Sequence, residues 1–145
     1  MKVFLCGGGG NTFKLLYELK ESGAFDRIKE YLEHGGVVFG GSAGAIIFGK
    51  DLEACRLDDV NEVNLIDTSG FDILNGVSIL CHYTNRSAEK DEQSRLYLLE
   101  LSQSGKMIAL PEEVTLFVND DRIEVIGNRP YYWFKNGVMV KRNDK

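Results

Sequence analysis

A serine stands among small residues in Gly40-Gly41-Ser42-Ala43-Gly44-Ala45, with a glycine two positions before it and another two after it. The run follows the apolar Val37, Val38 and Phe39 and opens a helix-compatible stretch, so it occupies a strand-to-helix turn. Small neighbours let the chain reverse sharply and project the serine hydroxyl from the strand end, as a nucleophile requires. The backbone N–H of Ala43 then lies at a helix start, where it can meet negative charge developing on a substrate oxygen. The bare pattern also fits a tight turn in which Ser42 only caps the helix.

A nucleophilic serine needs a base, and the chain has two histidines. His82 ends a predicted strand, where α/β folds place their sites. His34 precedes a glycine pair at a helix end, which suits a surface role. The base in turn needs an orienting carboxylate. Glu112 and Glu113 follow a predicted strand ending at Leu110, and Asp58 and Asp59 lie in an acidic loop. A second glycine loop, Gly7 to Gly10 with Asn11, also joins a strand to a helix. It lacks the Lys-Ser/Thr ending of a P-loop and the acidic residue of a dinucleotide site. Four successive glycines carry a large entropic cost for a turn with no other task. A side-chain-free approach that lends a second N–H to an oxyanion hole is the favoured reading. Two histidines and three scattered cysteines make no convincing metal site, and no cofactor is expected.

The elements that must position these groups alternate strand and helix, which predicts an α/β fold. Strands are expected over residues 3–6, 37–39, 77–80 and 106–110, and a weaker one over 63–66. The run 37–39 reads as a strand buried on both faces. Helices are expected over 12–22, with Phe13, Leu16 and Tyr17 on one face, over 26–33, over 43–48, and over 87–104 with Leu96, Leu99 and Leu101 inward. Residues 50–62 read as an acidic surface loop. From residue 114 onward two hairpins are expected, turning at Asn119-Asp120-Asp121 and at Asn136-Gly137, so the C-terminal β portion is antiparallel. No repeat, linker or low-complexity run divides the chain, and 145 residues suit one domain.

Composition narrows the partners. A net charge of -5 with no Lys/Arg cluster argues against nucleic acid and against an anionic membrane surface. The longest nearly apolar run, 37–49, is too short to span a bilayer. An odd number of widely spaced cysteines suits reduced thiols and a cytoplasmic location.

Three ordered motifs, Gly8-Gly9-Gly10-Asn11-Thr12-Phe13-x-Leu15-Leu16, Gly40-Gly41-Ser42-Ala43-Gly44-Ala45 and His82-Tyr83, resemble the peptidase E (aspartyl dipeptidase) family, S51, which includes the cyanophycinases. The likeness runs from residue 3 to residue 127. It implies a cytoplasmic serine hydrolase built on a three-layer, flavodoxin-like sheet of the class I glutamine amidotransferase kind, mostly parallel. It further implies Ser42 as nucleophile, His82 as general base, and Gly9 (alternatively Gly8) with Ala43 as oxyanion donors. By the same resemblance Glu112 orients His82, with Asp59 as the alternative, and Arg95 and Asn11 bind a small peptide substrate. Serine rather than cysteine at the elbow, and Tyr83-Thr84 after the histidine, disfavour an amidotransferase. Cys81 stands where the family commonly has proline, and Asp91 where a second substrate-binding arginine is sought. Family chains carry further strands before the first glycine loop. The N-terminal part of the family domain is therefore expected to be absent, and the open sheet edge is expected to be shielded in a homo-oligomer. A catalytically inactive remnant that serves as a binding or assembly module is the competing expectation.

Overall fold

The structure, a computed structural model, describes residues 3–6, 10–120 and 122–143. In chain order these form β1 (Val3–Cys6), α1 (Thr12–Glu21), α2 (Ala24–Glu33), β2 (Val37–Gly40), α3 (Ala43–Ile46) and a 3₁₀ turn (Glu53–Cys55). There follow β3 (Val77–Leu80), α4 (Ala88–Leu101), β4 (Lys106–Ala109), β5 (Thr115–Asn119), β6 (Arg122–Ile126), β7 (Tyr131–Lys135) and β8 (Val138–Arg142). The alternation of strand and helix and the antiparallel C-terminal portion agree with the sequence.

Among the described residues the strands form three groups. β1 and β2 pair in parallel, β3-β4-β7-β8 make a four-stranded sheet, and β5-β6 make a separate hairpin. Within the four-stranded sheet β3 and β4 are parallel, while β4-β7 and β7-β8 are antiparallel. Period-two alternation gives this sheet two apolar faces. Leu80, Met107, Ala109 and Phe134 join the main core with Phe13 and Leu16 of α1, Ile28 of α2, Ile46 of α3 and Leu98 of α4. Val77, Ile79, Ile108 and Leu110 turn the other way and pack under the β5-β6 hairpin, against Leu116, Val118 and Val125. Helices thus cover one face and a hairpin the other.

Local chemistry sets the element ends. Asn11 caps α1, its Oδ1 accepting from the Lys14 N–H at 3.1 Å, and Ser87 caps α4 by accepting from the Lys90 N–H at 3.2 Å. The 70–73 segment has no strand partner, yet its backbone bonds back to the elbow helix. Phe71 N–H donates to Ile47 O at 2.9 Å and Ile73 N–H to Phe48 O at 3.0 Å. The Phe71 ring stacks on Phe25 of α2 at 4.2 Å and on Phe48 at 5.0 Å. No helix among the described residues is long and apolar enough to cross a membrane.

Several expectations fail in instructive ways. β2 is not buried on both faces: Val37 and Phe39 are 45% and 57% exposed, because nothing among the described residues covers that side of the two-stranded sheet. Residues 63–66 form no strand; Asn61 binds Leu65 through both its amide atoms and closes the segment into a turn. The acidic loop 50–62 is not wholly superficial. Leu52, Ala54 and Cys55 are fully or nearly fully buried, since the 3₁₀ turn gathers the apolar residues of that stretch on one side. On α1 Tyr17 is exposed, and on α4 Leu98 and Ser94 face inward while Leu96 is exposed. The core-facing stripe of α4 has i, i+4 spacing, but it begins with a small polar residue that hydropathy does not register.

Truncating the fully buried Phe134 to Ala should destabilise the chain by about 3–5 kcal/mol. Phe117→Ala, at a ring 51% exposed on the hairpin, should cost under about 1 kcal/mol. Urea denaturation of the two variants beside the parent checks the contrast.

Candidate active site

Ser42 sits at the carboxyl end of β2 with φ 54° and ψ -119°, a conformation that L-residues rarely adopt and that costs on the order of 1–3 kcal/mol. Close packing on both sides holds it there. A Cβ at Gly40 would lie 2.1 Å from the carbonyl oxygen of Gly44, so only glycine lets β2 and α3 meet. Gly44 N–H donates to Gly41 O at 2.9 Å, and Ser42 O accepts from Ala45 and Ile46 at 2.9 and 3.0 Å. No hydrogen bond from the Ser42 side chain caps α3, so helix capping does not account for this residue. Its Oγ reaches His82 Nε2 instead, at 2.8 Å.

His82 and Glu112 are brought together by the parallel register of β3 and β4. Leu80 pairs with Ala109, and beyond the ladder Leu110 N–H donates to Leu80 O at 2.9 Å and Tyr83 N–H to Leu110 O at 3.0 Å. The two strands therefore release their next residues side by side. His82 Nδ1 lies 2.8 Å from Glu112 Oε1. An ionised carboxylate only accepts, so Nδ1 carries the proton and donates it to Glu112, leaving Nε2 as an acceptor for the Ser42 hydroxyl. His82 and Glu112 side chains are 41% and 58% exposed, so the pair orients the ring more than it stabilises the fold.

The turn after His82 is held from several directions. Tyr83 is buried, its ring edge-on to Tyr132 at 5.1 Å and to Phe134 at 6.2 Å, and desolvation raises its hydroxyl to a pKa of about 12. His82 and Thr84 both have positive φ, 61° and 69°. Asp91 accepts from Thr84 N–H at 3.2 Å and from Arg86 Nε at 3.3 Å. Arg86 also donates to Asp58 and to Ser94 Oγ. Asp91 thus anchors the histidine turn. Asn85 and Arg129 add polar contacts to Glu112, Glu113 and Thr84. Asn85 and Arg129 were not singled out from the sequence. An Asn three positions after the histidine is a turn signal, but Arg129 comes from a distant loop that no spacing rule connects.

The other candidates lie elsewhere. Asp59 Oδ2 accepts from Thr12 N–H at 2.9 Å and from Thr12 Oγ1 at 2.5 Å, so its carboxylate is engaged at the start of α1, and His82 meets Glu112. Asn11 caps α1 and donates through Nδ2 to Val60 O at 2.7 Å. Arg95 forms a two-pronged pair with Glu92 one turn earlier on α4, at 2.8 and 2.5 Å. The glycine-loop candidates Gly8 and Gly9 fall outside the described residues, while Ala43 is buried at the first turn of α3. His34 ends α2, bonded to Glu30 O through Nδ1 at 2.7 Å. Cys81, beside the elbow, points its Sγ toward Ser42 O at 3.7 Å. Burial, with a smaller push from Asp58, raises its thiol to about 12, so it stays protonated. Among the described residues no three His, Cys, Asp or Glu side chains stand together as metal ligands would.

A serine at a strained strand-to-helix elbow, hydrogen-bonded to a histidine that is itself bonded to a carboxylate, has the geometry of a serine-hydrolase triad. Residues 3–126 match the family model of peptidase family S51, and the chain belongs to that family. It is 34% identical over 138 residues to a peptidase E of Nostoc sp. (strain PCC 7120), covering 90% of this chain and 54% of that protein. With a peptidase E of Escherichia coli (strain K12 / DH10B) it shares 32% identity over 137 residues, covering 90% and 58%. A crystal structure of a candidate peptidase E from Listeria monocytogenes EGD-e superposes with a TM-score of 0.68 at 26% identity, covering 86% of this chain and 58% of that one. The chain therefore spans somewhat over half the length of the relatives it matches.

The elbow geometry has a direct test. Gly40→Ala should destabilise the chain by about 1–3 kcal/mol or more, since its methyl would meet backbone. Gly41→Ala, where a methyl meets nothing within 4 Å, should be nearly neutral. Thermal unfolding of both variants decides the point.

Proposed function

We propose that this chain is a single-domain serine peptidase of small peptides, with Ser42 as nucleophile, His82 as general base and acid, and Glu112 as the orienting carboxylate. The observation that carries the reading is the continuous run from Ser42 Oγ to His82 Nε2 and from His82 Nδ1 to Glu112, each at 2.8 Å. As Ser42 attacks the scissile carbonyl, Nε2 takes the hydroxyl proton and the oxygen becomes an oxyanion. The Ala43 N–H and a glycine-loop N–H, from Gly9 or Gly8, stabilise that charge. Collapse expels the amine, which takes the proton from His82, and leaves an ester on Ser42. Water then attacks the ester with His82 again as base, and the serine is regenerated.

Dipeptides with an N-terminal acidic residue are the favoured substrates, on the resemblance to the aspartyl dipeptidases and the peptidase E relatives. Arg95 is the cation for the substrate carboxylate, which must displace Glu92 to bind there, and Asn11 lies at the glycine loop. The fold is read as flavodoxin-like, with the β1-β2 and β3-β4 pairs as its parallel part and β5-β6 and β7-β8 as the antiparallel C-terminal portion. A cytoplasmic setting accords with Cys55 and Cys81 being free thiols. A second copy of the chain shields the exposed Val37 and Phe39 of β2, which makes a homo-oligomer.

Hydrolysis of a dipeptide panel rich in Asp-X and Glu-X should fall by about 10²–10⁴-fold or more in Ser42→Ala and His82→Ala. Undiminished hydrolysis by Ser42→Ala overturns the mechanism, and a folded parent that cleaves nothing turns the reading toward a non-catalytic binding module. Phe39→Glu should shift the parent's sedimentation toward the monomer; an unchanged oligomer, or a monomeric parent, rejects β2 as the interface.

A further inference from the structure

The bonds that hold the histidine turn converge on one short amide side chain. Asn85 Oδ1 accepts from the backbone N–H of Glu112 at 2.7 Å, and its Nδ2 donates to both carboxylate oxygens of Glu113 at 3.2 Å. Its own N–H donates to the carbonyl of His82 at 3.1 Å. One residue therefore closes the His82 turn through its backbone and clasps the Glu112 turn through its side chain. Glu113 is braced in turn by Arg129, whose guanidinium donates to Glu113 Oε1 at 3.0 Å and to Thr84 Oγ1 at 3.1 Å. The loop carrying Arg129 presses close: a Cβ at Gly127 would lie 2.4 Å from the Glu113 carbonyl oxygen. The Asn85 amide, ahead of Arg129, holds the Glu113 carboxyl below its usual range.

We propose that Asn85 is a positioning residue that fixes the Glu112 carboxylate against His82 Nδ1 by fastening the two turns together, with Glu113 and Arg129 as its brace. The proposal rests on the serine-peptidase reading, in which Glu112 orients His82. Glu112 is more than half exposed, so packing does not select its rotamer and water competes for its oxygens. Fixing its backbone removes one part of that freedom and leaves the rotamer to the bond with His82. The task needs an acceptor and a donor on one short planar group, which asparagine supplies; aspartate would offer no donor and would face the Glu113 charge. Asn85 touches no reacting atom and acts through Glu112.

Fluorophosphonate labelling followed by intact mass reads the activation of Ser42 without a known substrate. The Ser42 oxygen bonds to phosphorus, fluoride leaves, and the hydroxyl proton passes to His82. Asn85→Ala should slow labelling about tenfold in the parent, but less than about twofold in a Glu112→Ala background, where no carboxylate remains to be positioned. Equal slowing in both backgrounds, or labelling of Asn85→Ala at the parent rate, overturns the proposal. If Asn85→Ala unfolds, Asn85→Asp decides. It should slow labelling by opposing two carboxylates, and adding Glu113→Gln should restore most of the rate by reversing donor and acceptor. No slowing, or no restoration, overturns the proposal. A parent that is never labelled removes the serine-peptidase reading itself, and the proposal with it, whereas a labelled parent keeps the two questions separate.

Discussion

The approach of Gly40 to the Gly44 carbonyl is the constraint from which the rest of the site follows. A strand can enter a helix this abruptly only where no Cβ intervenes, and the residue at the bend must then take the positive φ observed at Ser42. Ser42 is not glycine, so the bend stores strain that the surrounding packing must hold. Ala43, Gly44, Ile46 and Ile47 behind it are all buried, which anchors the helix side of the bend. The hydroxyl is thereby turned away from helix capping and toward His82.

The second requirement is a rigid place for the histidine, and the parallel β3-β4 pair supplies it. Parallel strands end at the same edge, so residues that follow them emerge as neighbours although His82 and Glu112 are 30 positions apart in the chain. Tyr83 is the nail that holds this edge down, with its ring in the core and its N–H on Leu110. The exposed side of the same turn has no core to lean on and relies on polar bonds to Asp91, Glu113 and Arg129. Apolar packing thus fixes the strand ends, and polar bonding fixes the side chains beyond them.

What the sequence made legible follows from the range of each signal. The elbow, the starts of the helices near residues 12 and 87 and the turn at Asn136-Gly137 are local patterns, readable because their causes lie within a few residues, whereas the caps Asn11 and Ser87 emerge only from the structure. Glu112 was separated from Glu113 by resemblance. The structure gives the two adjacent carboxylates different partners, one bonded to His82 and the other to Asn85 and Arg129. Asp59 was a reasonable candidate by type, but its partner is Thr12, 47 positions away. The burial of β2 misled because an apolar run reports what a strand can bury and not what lies against it. Leu98 was missed because a serine shares its stripe on α4, and Leu52 and Cys55 because charges flank them in the chain.

The site joins two sheets that share no ladder among the described residues, since Ser42 follows β2 while His82 and Glu112 follow β3 and β4. Their alignment must be carried by something other than strand pairing, and α3 is placed to carry it. The segment leaving α3 bonds to β3 through Lys50 N–H and Val77 O at 2.9 Å, and the 70–73 strap bonds to Ile47, Phe48 and Gly49. Ile46, Ile47 and Phe48 are buried in the same core as Leu80 of β3. The short helix that positions the serine is thus also the joint between the sheet that bears it and the sheet that bears the histidine. A hydrogen bond of 2.8 Å tolerates little error, and a joint one helical turn from the hydroxyl leaves little chain over which error can accumulate. The brevity of α3 and the density of packing at its far end are therefore one structural solution to the two demands on Ser42: a strained turn in front and a fixed partner across the sheet boundary.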